Sequence, residues 1–526
     1  MIKQWKTIAA ASALAVLTLS ACGGSDSGGG TPSAAPTDKV LHLSFLQDPG
    51  QPPDPDIYYA GQGLLLTTNT YEGLLQYKAG TDKPELEPLL ATEWTASPDN
   101  KVFDFKLRQG VKFHDGTAFT AEAVKASFDR RLAVNQGPSY MVKDVESVTA
   151  HGDYDVTITL KAPNAAFLDY LACAYGPRMM SPAGLRQNAG ADHAQSYLTS
   201  HDLGTGPYTL TAADVGSRYA LAAFPEYWGA KPYFEKVEMP VITDVSAQQL
   251  QFNNGQLAAI LHDLPSSAVQ SYLDNKAFAN YSLPTMMSNY LYVNPHKGMM
   301  TDAGNRTAVL QAINVDELVK QTYFGRGDVA SQIYPPNMMA SDFAKQAVAH
   351  DPSALAGIAA GLPADQKAIT IGYDSSNPDN QLVSNLLQTQ LAAAGLTAKV
   401  QAYPTSEIYG WVGTDGQSAP EIFTALAWPD APSPYTWGHI SWDPDGGLNY
   451  LGCSAPPVTD ALATGLPTGD SAVFSRAGLE AVKTGCWLNI ADVNDFVVAQ
   501  PWLKGVEQSH VVTNPNSLRL AALSVG

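Results

Sequence analysis

Lys101-Val102-Phe103-Asp104-Phe105-Lys106-Leu107-Arg108 alternates along a strand, with Phe103, Phe105 and Leu107 on one face. The chain continues Gln109-Gly110-Val111-Lys112-Phe113-His114-Asp115-Gly116, and then Thr120-Ala121-Glu122. Gly116 reads as a turn position that needs unusual backbone angles. A helix is expected to start near Thr120, whose hydroxyl suits a cap, with Glu122 favoured by the helix dipole. Further on, Val156, Ile158 and Leu160 share one face of a second strand, and His151-Gly152-Asp153 supplies the turn before it. Residues 145–149 are then its hairpin partner. Beyond residue 300 the period changes. Residues 307–323 read as one helix, 369–373 as a strand, 381–394 as an amphipathic helix and 396–403 as the next strand, with Gly395 as the helix stop. Strand, helix and strand in that order favour a parallel βαβ unit. The expected class is α/β with a β-rich first half.

The chain has 526 residues, 45% hydrophobic and 15% charged, which excludes a disordered or collagen-like chain and a small disulfide scaffold. At about 150 residues per domain the length suggests roughly three compact units. Net charge is −19, and setting aside Lys3 and Lys6 of the leader leaves 29 basic against 50 acidic residues. Such a surface repels phosphate backbones, so no nucleic-acid partner is expected. Lys3 and Lys6 precede an apolar run over residues 9–19 that is too short to span a bilayer. The run ends in Leu19-Ser20-Ala21-Cys22, which resembles the bacterial lipobox. Residues 1–21 are read as a lipoprotein signal peptide and Cys22 as the acylated residue. Residues 22–39, rich in Gly, Ser and Pro, are read as a flexible linker. The expected location is extracytoplasmic, held to the bacterial cell membrane by lipid.

Leu86-Glu87-Pro88-Leu89-Leu90-Ala91-Thr92-Glu93-Trp94, placed before the stretch quoted above, resembles the signature region of the family 5 extracellular solute-binding proteins. These are the peptide/nickel group of ABC-importer receptors. Tyr71-Glu72-Gly73-Leu74-Leu75 lies upstream, and Gly204-Thr205-Gly206-Pro207-Tyr208, Tyr227-Trp228-Gly229, Lys231-Pro232, Asn294 and Arg306 follow in the family's order. Asn314, Ala123, Phe224 and Gln256 depart from the family's usual residues. Gly206 looks like another turn position, and Trp94 and Trp228 like packing residues. The resemblance implies a two-lobed, periplasmic-binding-protein-like clamshell. Lobe I would comprise residues 40–288, with a β-rich subdomain over about 72–200, and would regain the chain at 500–526. Lobe II would comprise 289–499, and crossings near 286–294 and 495–501 would form the hinge. The implied function is capture of a solute, foremost a peptide, for an ABC permease and ATPase by a monomeric receptor without a cofactor. A nickel or other metal-chelate receptor is the alternative within the family.

In peptide-binding members a Trp-containing segment followed by an acidic run lies in the cleft, and its first Asp meets the ligand's amino group. Trp428-Pro429-Asp430-Ala431-Pro432-Ser433-Pro434-Tyr435 matches that segment, with Ser433 in place of a second acid. Asp430 is therefore the expected partner of a ligand ammonium, because a desolvated cation needs a charge partner. Trp428 and Tyr435 are the expected cleft walls. Tyr58 and Tyr59 in the loop 54–59, Met286, Met287, Asn289 and Tyr290 at the first crossing, and His439 complete the candidates. Cys453 and Cys486 fall in one lobe, where export permits a disulfide, and Cys173 reads as a buried thiol. The chain has no His-Glu-x-x-His, Cys-x-x-Cys, Gly-x-Ser-x-Gly or P-loop lysine motif. A secreted hydrolase stays open only through convergence of scattered residues.

Overall fold

The computed structural model describes residues 32–526 except 263, 347, 415 and 515. Cys22, the leader and the first part of the linker lie outside the described residues. The end of the linker is not a free leash. Ser33 N donates to Gln500 Oε1 at 2.9 Å, and Trp502 Nε1 donates to Ser33 Oγ at 3.2 Å.

The opening stretch forms the strand Val102–Leu107, whose Phe103, Phe105 and Leu107 are buried. It lies between Ala91–Ala96 and Asp155–Leu160, and Val145–Ala150 closes a four-stranded antiparallel sheet. The helix Ala121–Val134 follows, but the Thr120 side chain makes no capping bond. Gly116 sits at φ +84°, as its turn requires. Gly206 is needed for a different reason: a Cβ there would meet Asn69 O at 2.5 Å. Beside this unit, Val40–His42, Lys236–Pro240, Arg218–Ala223 and Tyr208–Asp214 form a second four-stranded sheet around Leu41, Tyr219 and Val237.

The other half is organised by a seven-stranded sheet. Ala368–Asp374, the helix Pro378–Ala393 and Thr397–Tyr403 make the expected βαβ unit, with the two strands parallel. Ile422–Ala427 also runs parallel to Ala368–Asp374. The expected single helix over 307–323 is two helices, Ala303–Gln311 and Val315–Tyr323. Asn314 breaks it, because its side chain accepts from Glu317 N and caps the second helix. Cys453 and Cys486 are joined by a disulfide, and Cys173 is a buried free thiol.

Two long strands tie the halves together. Ala279–Val293 and Trp487–Ala499 pair antiparallel, with their register shifting between Leu283 and Met287. On one side of the shift, Leu283, Val497 and Ala499 belong to the core of the first lobe. On the other, Leu291, Val293, Leu488 and Ile490 belong to the core of the second. At the shift Thr285 Oγ1 donates to Val493 O at 2.6 Å and accepts from Met287 N at 2.9 Å. Among the described residues no helix is long and apolar enough to cross a membrane.

Candidate functional site

In an open α/β sheet, ligands collect beyond the carboxyl ends of the parallel strands. All three parallel strands of the second lobe end at one cavity of about 520 Å³. Ala368–Asp374 delivers Asp374, Ser376 and Asn377; Thr397–Tyr403 delivers Thr405 and Ser406; Ile422–Ala427 delivers Leu426, Trp428 and Asp430. The facing wall comes from the first lobe through Gln47, Gln51, Tyr59, Gln62 and Tyr175.

The loop carrying Tyr59 is fixed from beneath. Asp54 and Asp56 are fully buried and meet two buried arginines of the helix Ala121–Val134. Arg130 Nη1 donates to Asp54 at 2.8 Å and to Asp56 at 2.7 Å, and Arg131 Nε donates to Asp56 at 2.7 Å. Arg131 Nη1 also donates to the carbonyl of Tyr175 at 2.8 Å. One ionic cluster thus holds both first-lobe tyrosines. Gly61 lets the loop close on the indole, since a Cβ would stand 3.0 Å from Trp428.

Asp430 is 8% exposed. Its Oδ2 accepts hydrogen bonds from the Tyr59 and Tyr140 hydroxyls, the second at 2.7 Å, while Oδ1 accepts none from the described residues. Burial raises its pKa, opposed by those two hydroxyls. Asp374 also keeps one oxygen unused: Oδ1 accepts from Ser376 N at 2.9 Å and Thr405 Oγ1 at 3.2 Å. Among the described residues these two carboxylates line the cavity and no Lys, Arg or His does. Trp428 Nε1 donates to the Tyr175 hydroxyl at 3.2 Å, Gln47 bonds the Ser376 carbonyl, and Ala431 packs into the first-lobe core. The lobes are therefore in contact around the cavity.

Asp430, Trp428 and Tyr59 come together as cavity walls. Tyr58 does not; it is 2% exposed and its hydroxyl accepts from Gly63 N in the core. Tyr435 stacks on His439 with ring centroids 5.6 Å apart, away from the cavity, and His439 bonds Asp443. Met287 lines a small cavity of about 30 Å³ beside the Arg326–Asp379 pair; it adjoins the cleft and shares Asn377, Leu426 and Asn516 with it. Asn289 stands one step behind the wall, donating to Asn380 at 2.8 Å. Met286 and Tyr290 are second-lobe core. Tyr140, Tyr175 and Asp374 were not singled out from the sequence. Asp374 had a usable signal, the carboxyl end of a strand in a parallel unit.

Residues 85–449 match the family described as bacterial extracellular solute-binding proteins, family 5 Middle. A relative from Escherichia coli K12, the probable D,D-dipeptide-binding periplasmic protein DdpA, is 28% identical over 383 residues, covering 72% of this chain and 73% of its own. The periplasmic binding protein DppA of Helicobacter pylori, solved with the peptide STSA, aligns over 92% of this chain and 98% of its own at TM-score 0.78 and 23% identity. NikA of Brucella suis, solved with Fe(III)-EDTA, aligns over 93% of this chain and 100% of its own at TM-score 0.79 and 21% identity. These two likenesses concern the fold, a two-lobed α/β clamshell. The match over residues 85–449, on a fold whose strand ends and facing loops enclose one cavity, makes this chain a member of the family 5 bacterial extracellular solute-binding proteins, a family of receptors rather than enzymes.

Proposed function

We propose that the protein captures a short peptide, or a peptide-like solute bearing an ammonium group, between its lobes and delivers it to a membrane permease driven by an ATPase. One observation carries the reading. Asp430 is a buried carboxylate with a free oxygen on a cavity that holds no cationic side chain among the described residues. An uncompensated buried charge is costly, and an ammonium on Oδ1 removes that cost through a charge-assisted bond. The volume lies within the roughly 300–1,000 Å³ of small-ligand pockets. Trp428, Tyr59 and Tyr175 offer flat surfaces for side chains. The E. coli relative named for dipeptide binding supports the peptide class.

The domain division that accompanies this reading is residues 40–288 with 500–526 against 289–499. The pairing shift between Leu283 and Met287 supports a hinge at the first crossing. The anchor is part of the same proposal. Cys22 acylation would tether the receptor beside its permease, and Cys22→Ser should release it from the membrane fraction.

The test uses an enzymatic casein digest offered to the purified protein, untreated or N-acetylated, with mass spectrometry of what is retained. Retention of the untreated peptides and loss of the acetylated ones is expected. Equal retention of both refutes the ammonium reading.

A further inference from the structure

We infer that the first lobe carries a second ligand site, for a small organic carboxylate, in the cavity where Arg178 is exposed to no carboxylate partner. The cavity measures about 300 Å³ and shares no lining residue with the cleft between the lobes. Its walls include Arg178, Arg519, Tyr77, Tyr227, Trp228 and Leu518.

Arg178 is as buried as the arginines of the ionic cluster, at 5% exposure, yet it is handled differently. Its Nη2 donates to the Cys173 carbonyl at 2.6 Å. Its Nε is buried with no hydrogen-bond partner, and no carboxylate among the described residues forms an ion pair with it. Arg130 and Arg131 meet Asp54 and Asp56 at 2.5–2.7 Å. Glu72 lines the same cavity but is already committed. It accepts from Thr205 Oγ1 at 2.7 Å, Trp228 Nε1 at 2.9 Å and the Tyr227 hydroxyl at 3.0 Å. Burial of Arg178 lowers its pKa to about 10, as expected for a guanidinium with little compensation. Arg519 adds a second positive group, whose Nη1 meets Glu87 at 3.3 Å and whose Nη2 donates to the Tyr77 carbonyl.

The chemistry of the walls selects the ligand class. A planar guanidinium edge suits a carboxylate, and Tyr77, Trp228, Leu89 and Leu518 suit an apolar or aromatic body. One negative charge would balance Arg178, which no carboxylate among the described residues pairs. A dianionic phosphate would stand against Glu72 in the same cavity.

The experiment is thermal denaturation of the full protein titrated with sodium benzoate, with sodium phosphate and sodium chloride at matched ionic strength. A saturable rise in Tm with benzoate, absent with the other two, is expected. It should persist in Asp430→Asn, which separates this site from the cleft. It should weaken at least tenfold in apparent affinity in Arg178→Gln. If that variant does not fold, Ala521→Phe, which fills the cavity from its rim without altering Arg178, should abolish the rise. A benzoate effect no larger than that of chloride overturns the site. So does an effect that survives the Arg178 or Ala521 change. Equal stabilisation by phosphate overturns the carboxylate assignment.

Discussion

Two cavities among the described residues have opposite chemistry. The cleft between the lobes, about 520 Å³, shows Asp374 and Asp430 and no basic side chain among the described residues. The first-lobe cavity, about 300 Å³, shows Arg178 and Arg519 around a single committed acid. The chain as a whole carries a net charge of −19, so an acidic cleft follows the bulk and a cationic cavity goes against it. In each, a buried charged group, Asp430 or Arg178, forms no ion pair among the described residues. The ionic cluster behind the cleft shows that this fold can pair buried arginines completely when their role is structural. What sets Asp430 and Arg178 apart is an unused hydrogen-bonding atom beside a cavity, whereas Glu72 is committed to Thr205, Trp228 and Tyr227.

The largest effect should come from breaking the paired region. Arg131→Met leaves Asp56 buried beside Arg130 alone and frees the Tyr175 carbonyl. Denaturant unfolding should show a loss of about 3–5 kcal/mol, the usual consequence of removing one partner of a buried ion pair. Asp430→Asn acts on affinity. For an ammonium ligand recovered from the digest, calorimetry should show about 2–5 kcal/mol of lost binding, or about 30- to 4,000-fold. A loss under threefold would make Asp430 a bystander and leave the cleft to stacking on Trp428.

The same substitution has a signature in pH. Burial raises the Asp430 pKa in the folded protein above the unfolded value of about 3.9. The unfolded chain then gives up its proton first, so the native ligand-free protein loses stability as pH rises from that value through the raised one. Asn does not titrate. The stability of Asp430→Asn relative to the parent should rise with pH above about 4 and be flat below it. Denaturation midpoints across pH 3–8 check the sign. The smallest effect belongs to the unpaired arginine. Arg178→Met removes a charge that has no ion-pair partner, so ligand-free stability should change by less than about 1 kcal/mol. A loss as large as that for Arg131→Met would make Arg178 a scaffold residue and erase the contrast.

Much of this was legible in the sequence, for identifiable reasons. Alternation of Phe103, Phe105 and Leu107 and the strand-helix-strand order are local patterns, and each was found where expected. Asp430 and Trp428 stood out because the segment from Trp428 to Tyr435 resembles the cleft segment of the peptide-binding members. The choice between Tyr58 and Tyr59 was not legible. Adjacent side chains point in different directions, and which one faces the cleft is set by arginines more than 70 positions away. Tyr435 was misplaced because the loop becomes a helix at Pro434, which turns that ring onto His439. Tyr140 reaches Asp430 across 290 positions, a contact that no local pattern encodes.

In the proposed binding mode the cleft holds a ligand cation on the free oxygen of Asp430. A crystal structure of the protein with a peptide captured from the casein digest tests it most directly. The ligand's ammonium nitrogen should lie about 2.7–2.9 Å from Asp430 Oδ1, with the Tyr59 and Tyr140 bonds to Oδ2 retained. A peptide bound with its ammonium elsewhere, and a neutral or apolar group against Asp430, would contradict it.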